Sequence, residues 1–117
     1  MSNHEKINYL EFPARDIDAT KAFFGAVFDW EFIDYGPEYT AFSNAAIDGG
    51  FFKSSLNVST DTGSALIVFY SDALERTLEK ITAAGGSVIK PIFEFPGGRR
   101  FHFADPNGNE FAVWSAT

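Results

Sequence analysis

The chain has 117 residues, with 9 Lys and Arg against 16 Asp and Glu, a formal net charge of −7 and no Cys. That length fits one domain, and the missing Cys excludes a disulfide framework, a thiolate metal site and a Cys nucleophile. The acidity argues against nucleic acid as a partner, because phosphates demand Lys and Arg.

Ile7 to Pro13 reads as a strand, with Ile7, Tyr9 and Glu11 on one face, Leu10 and Phe12 on the other, and Pro13 as its end. Asp16 is a good N-cap for a helix whose Ile17, Thr20, Phe24, Val27 and Phe28 recur at helical spacing. Trp30–Tyr35, Tyr39–Ser43 and Ala46–Phe51 follow as three short strands, the first pair separated by the turn residues Gly36 and Pro37. Residues 53–63 are polar and read as a linker. The order then starts again. Ala65–Tyr70 is an apolar run expected to be buried on both faces. Asp72 is expected to cap a second helix, with Glu75 at the capping-box position, Leu74, Leu78 and Ile81 as its apolar stripe and Gly85 as its stop. Strands are expected at Ser87–Phe93, Arg99–Ala104 and Glu110–Ser115, with turns at Pro96–Gly98 and Asp105–Gly108.

Strand–helix–strand–strand–strand therefore occurs twice, in half-modules of about 7–51 and 65–115 within a single domain spanning 1–117. The expected fold is α+β, two βαβββ motifs forming a curved mixed sheet, with the helices on its outer face. Hydrophobic residues make up 45 % of the chain, including 14 Phe, 4 Tyr and 2 Trp. Such a chain is not disordered. Phe12, Phe24, Phe28, Phe101, Phe103 and Phe111 are assigned to the helix–sheet layers, and Phe51, Phe69 and Phe95 are left for a pocket. The longest uncharged run, Thr62–Ser71, is ten residues, too short to span a bilayer. Charges at Glu5, Glu11, Arg15, Asp16 and Asp18 leave no signal-peptide apolar region near the start, so a cytoplasmic protein is expected.

Five stretches carry a family resemblance: Tyr9-Leu10-Glu11-Phe12-Pro13, Ala22-Phe23-Phe24 with Val27-Phe28-Asp29-Trp30-Glu31-Phe32, Asp48-Gly49-Gly50, Ala83-Ala84-Gly85-Gly86 and Asp105-Pro106-Asn107-Gly108-Asn109. In this order the chain resembles the vicinal oxygen chelate superfamily, which includes glyoxalase I, extradiol dioxygenases and the bleomycin- and fosfomycin-resistance proteins, and within it the small bacterial glyoxalase-like subgroup. The resemblance implies a cup, a homodimer and a divalent metal held by His or Glu from four strands. Carried over position by position, those ligands fall on Tyr9, on Asp48 or Gly50, near Leu66, and on Ala112, so only Asp48 is a plausible donor. No metal or other cofactor is therefore expected.

Strand parity places Tyr9, Glu11, Arg100, His102, Ala112 and Trp114 on the cup face, with Glu110 at the rim. His102 is a candidate acid or base, with Glu11 beside it to raise its pKa and orient it. Arg100 suits a carboxylate or phosphate, and Tyr9 and Trp114 suit a planar ligand. A salt bridge between Arg100 and Glu11 that merely closes the cup is the plainer alternative. Three functions stay open. The leading one is binding of a small organic ligand by Tyr9, Glu11, Asp48, Arg100, His102 and Trp114. The second is a lyase, isomerase or dioxygenase using His102, with a metal held by Asp48, Glu11 or Glu110. The third is a structural dimer module. Neither nucleic acid nor membrane is expected as a partner.

Overall fold

The computed structural model describes residues 2–117. Asp16 opens the first helix as its side chain requires: its Oδ1 accepts from the Ala19 N–H at 2.9 Å. The elements run β1 (Tyr9–Ala14), α1 (Ile17–Phe28), β2 (Glu31–Asp34), β3 (Tyr39–Ser43), β4 (Asp48–Lys53), β5 (Ile67–Tyr70), α2 (Leu74–Ala83), β6 (Ser87–Phe95), β7 (Gly98–Ala104) and β8 (Glu110–Ser115). This is an α+β chain of two βαβββ modules. Each module has its own four-stranded mixed sheet, ordered β1-β4-β3-β2 and β5-β8-β7-β6. β1–β4 and β5–β8 are parallel and the other pairs antiparallel.

Several local expectations are corrected. Pro13 does not end β1, which continues to Ala14. The strand lies at a sheet edge and pairs only with β4, so a missing N–H costs it nothing. Asp72 does not cap α2. The helix starts after Ala73 without a side-chain cap. Ser71 Oγ accepts from the Ala73 N–H at 3.0 Å, and Glu75 reaches Arg99 on β7 instead of closing a capping box. β5 is not buried on both faces. It is an edge strand, and Val68 and Tyr70 are 42 % and 52 % exposed on its outer side. Residues 53–63 are more than a linker, since Thr60–Thr62 form a 3-10 turn docked on β8.

The helix-side faces of both sheets share one aromatic core. Phe23, Phe24, Phe51, Phe101, Phe103 and Phe111 are fully buried, each worth about 1.5–3 kcal/mol against exposure. Phe51 is thus core rather than pocket. Trp30 is stacked between Phe24 (4.6 Å) and Phe42 (4.3 Å). Phe12–Phe111 and Phe28–Phe69 contacts, at 5.4 and 4.2 Å, join the two modules.

The β7–β8 turn clasps the modules together through buried amides. Asn107 Oδ1 accepts from the Arg15 and Asp16 N–H groups at the start of α1. Asn109 Nδ2 donates to the Pro13 carbonyl at 2.7 Å, and its Oδ1 accepts from the Val58 N–H at 2.8 Å. Asp105 gathers the backbone N–H groups of Asn107 and Asn109. Burial pushes the Asp105 carboxyl above its ordinary value despite these bonds. No helix is long and apolar enough to cross a membrane among the described residues.

Candidate functional site

The face of the second sheet turned away from the helices, which is outer with respect to the shared core, carries a hydrogen-bonded relay. On β7, residues two apart project on the same side, so Arg100 and His102 stand together, and the β7–β8 register sets Trp114 opposite Arg100 and Ala112 opposite His102. Arg100 Nη2 lies 3.0 Å from His102 Nε2, and His102 Nδ1 lies 2.8 Å from Glu110 Oε2. A guanidinium only donates. Nε2 must therefore accept, and the proton sits on Nδ1 and points at Glu110. Thr60 completes the relay, its N–H and hydroxyl both donating to Glu110 Oε1 at 2.8 and 2.9 Å. Burial works against the Glu110 charge, but the bonds from His102 and Thr60 outweigh it and hold the carboxyl below its ordinary value.

Strand parity predicts Glu110 at the rim and Glu11 beside His102. In the structure Glu110 and His102 are both buried and are partners of each other. The polar 53–63 segment docks on β8, and this docking covers Glu110. Phe93 and Phe95 of β6 flank the Arg100 guanidinium, each ring centroid 5.9 Å from Cζ. Phe95 and Tyr70 meet Trp114 edge-on at 6.1 and 4.9 Å. Nothing local in the sequence marks Phe93 as a site residue. Only the β6–β7 register, which puts it opposite Arg100, reveals it. Arg100 Nε is buried without a hydrogen-bond partner.

Tyr9, Glu11 and Asp48 lie on the outer face of the first sheet. Tyr39 Oη donates to Glu11 Oε2 at 3.0 Å, and its single proton makes Tyr9 the donor in the 2.6 Å Tyr9–Tyr39 bond. The Tyr39 ring lies across Gly50, where a Cβ would stand 2.1 Å from its hydroxyl. Burial, then the bonds to Tyr9 and Glu11, push the Tyr39 hydroxyl far above its ordinary value. Asp48 pairs with Tyr9 in the β1–β4 register and stays exposed. Among the described residues, no hydrogen bond or ion pair joins this cluster to the Arg100–His102–Glu110 relay.

The divalent metal implied by the family resemblance does not fit the donors of one chain. The Tyr9 hydroxyl is engaged by Tyr39, Asp48 is exposed, Ala112 offers no donor, and both oxygens of Glu110 are taken. No group of three or more His, Asp or Glu close enough to hold an ion occurs among the described residues.

Two comparisons locate the chain among known proteins. It shares its fold with a glyoxalase/bleomycin resistance protein/dioxygenase family enzyme from Burkholderia phytofirmans PsJN (20 % identity, 94 % of this chain and 98 % of that one, TM-score 0.78). The fosfomycin resistance protein FosX from Listeria monocytogenes is similar to the same degree (20 %, 97 % and 94 %, 0.79), as is a lactoylglutathione lyase from Agrobacterium tumefaciens (22 %, 97 % and 96 %, 0.71). No curated protein matches in sequence. The sequence profile of the Glyoxalase/Bleomycin resistance protein/Dioxygenase superfamily matches residues 6–113. The chain therefore belongs to the glyoxalase/bleomycin resistance protein/dioxygenase superfamily.

Proposed function

We propose that the chain binds a small planar organic anion on the outer face of the second sheet, without a metal. The observation that carries this reading is Arg100. Its guanidinium is oriented by a buried relay, framed by Phe93 and Phe95, and left with an unpartnered Nε. A cation fixed between aromatic rings recognises a carboxylate or phosphonate by charge and its ring by stacking. Trp114 and the exposed Tyr70 extend the same face. His102 acts here as a positioning residue: both ring nitrogens are engaged, and an acid or base role would first require Arg100 to leave Nε2.

Tyr9, Glu11 and Asp48 form the polar part of the first sheet's outer face, beside exposed Ile33 and Phe52. These apolar side chains suit burial against a second copy of the chain, which would place the two outer faces together as one cup. Sedimentation at rising concentration checks that part. Calorimetric titration with benzoate and phenylphosphonate, repeated on Arg100→Met, tests the ligand site. A charge-assisted hydrogen bond is worth roughly 1.5–3 kcal/mol, so the variant should bind about 10- to 100-fold more weakly. Equal binding by the variant rejects the reading.

A further inference from the structure

The two modules repeat each other, but their matching corners are finished differently. In one, the β7–β8 turn fills the corner beside the end of β1 with the buried amides of Asn107 and Asn109. In the other, the β3–β4 turn brings only Ala45, Ala46 and Ile47 to the end of β5, and a cavity of about 270 Å³ remains. It lies between the edge strands β1 and β5, lined by Leu10, Phe12, Trp30, Phe42, Ile67 and Phe69, with Val68 and Tyr70 also in its wall and no charged side chain in its lining. Leu10, Phe12 and Phe42 belong to the helix side of their strands, so most of this cavity lies away from the Arg100 face and meets it only along Val68 and Tyr70 of β5.

The turn that leaves it open is strained. Asn44 and Ala46 both adopt left-handed φ, 66° and 73°, which is uncommon for non-glycine residues and for Ala has no side-chain hydrogen bond to offset it. Asn44 is tied down by its Nδ2 bond to the Asp29 carbonyl at 2.8 Å. Such strain persists where the surroundings impose it, and it gathers at ligand sites.

We propose that this cavity binds a small uncharged aromatic molecule of one or two fused rings. An apolar cavity of about 150 Å³ takes benzene, so this one has room for a bicyclic ring. The aromatic and aliphatic lining supplies apolar contact, Trp30 and Phe42 with the parts of their rings not stacked on each other, and the absence of any charged wall excludes a free carboxylate.

The test is a titration of the full ¹⁵N-labelled chain with indole. The chain has two Trp, so it has two indole N–H signals; that of Trp30, in the cavity wall, should move most, and that of Trp114, which touches only Tyr70 of the wall, much less. The Arg100 Nε–H signal reports separately on the other face and should stay still. Indole-3-carboxylate should leave the Trp30 signal unmoved. Ala45→Leu narrows the cavity and should weaken indole at least 10-fold at unchanged melting temperature. Ile67→Phe fills it from the opposite wall and replaces Ala45→Leu if that variant does not fold. The proposal is overturned if indole leaves Trp30 unmoved, moves Trp114 or Arg100 instead, or binds the filled variant equally well. It is also overturned if the filled variant changes only the sedimentation of the protein, which would make the cavity a contact with a second copy.

Discussion

Replacing Asn109 by Ala removes the side chain that ties the start of β8 to both β1 and the 53–63 segment. Asn109 is fully buried, its amide donating to the Pro13 carbonyl at 2.7 Å and accepting from the Val58 N–H at 2.8 Å. The variant strands one buried acceptor and one part-buried donor. At about 1–3 kcal/mol for each orphaned group, the loss is roughly 2–5 kcal/mol once partial hydration is allowed for. For a domain of this size about 4 °C of melting temperature goes with each kcal/mol, so the midpoint should fall by about 8–20 °C. Val58 lies two residues before Thr60, so the same change should loosen Thr60 from Glu110 and weaken ligand binding at Arg100 beyond the stability effect. Urea unfolding followed by circular dichroism measures the first consequence and calorimetry the second. The exposed Asn44, with its single bond to the Asp29 carbonyl, is the control: Asn44→Gly, which keeps the left-handed φ unstrained, should cost about 1 kcal/mol or less. A loss below 1 kcal/mol in Asn109→Ala would refute the view that the turn clasps the modules.

Three further predictions rest on other contacts. Glu110→Gln sets an amide N–H₂ against either Thr60 or the His102 Nδ1–H, both of which donate, and should cost about 1–3 kcal/mol in urea unfolding. The pH dependence of that cost follows from Glu110, whose folded pKa lies below its unfolded value. Its stabilisation is present above the ordinary carboxylate range and is lost as pH falls through the folded value, so the gap in stability between wild type and Glu110→Gln should narrow in acid. Asp105 has the opposite sign: its raised pKa makes proton uptake favour the folded state, so it does not add to the acid loss. Gly49→Ala should destabilise more than Gly50→Ala, by about 1–3 kcal/mol in melting experiments. A Cβ at Gly49 meets the Leu10 carbonyl at 2.4 Å, which is fixed backbone, whereas at Gly50 it meets the movable Tyr39 side chain.

Features that depend on neighbouring residues in sequence were legible in it. Asp16 as a cap, Gly85 as a helix stop and the Asp105 turn all rest on local backbone chemistry, and all three occur. Strand parity put Arg100, His102, Ala112 and Trp114 on one face, because alternation needs no knowledge of partners. What failed depends on pairing. The apolar run of β5 looks like a central strand, but its position at a sheet edge exposes Val68 and Tyr70. Asp72 has the right chemistry for a cap, but Ser71 provides the contact at the start of α2. Glu11 and Glu110 both stand on outer faces, and only the β7–β8 register and the docking of Thr60 decide which carboxylate His102 meets. The Trp30–Phe42 cavity arises between modules and leaves no local mark.

The most direct test of the ligand site follows the Arg100 Nε–H signal during titration with benzoate, in wild type and in His102→Gln, in which the relay from Glu110 is broken. The account predicts a saturable shift of that signal in wild type and binding several-fold weaker in the variant, because the guanidinium is no longer held between Phe93 and Phe95. An Arg100 signal that does not respond to benzoate, or an identical titration in His102→Gln, would contradict it.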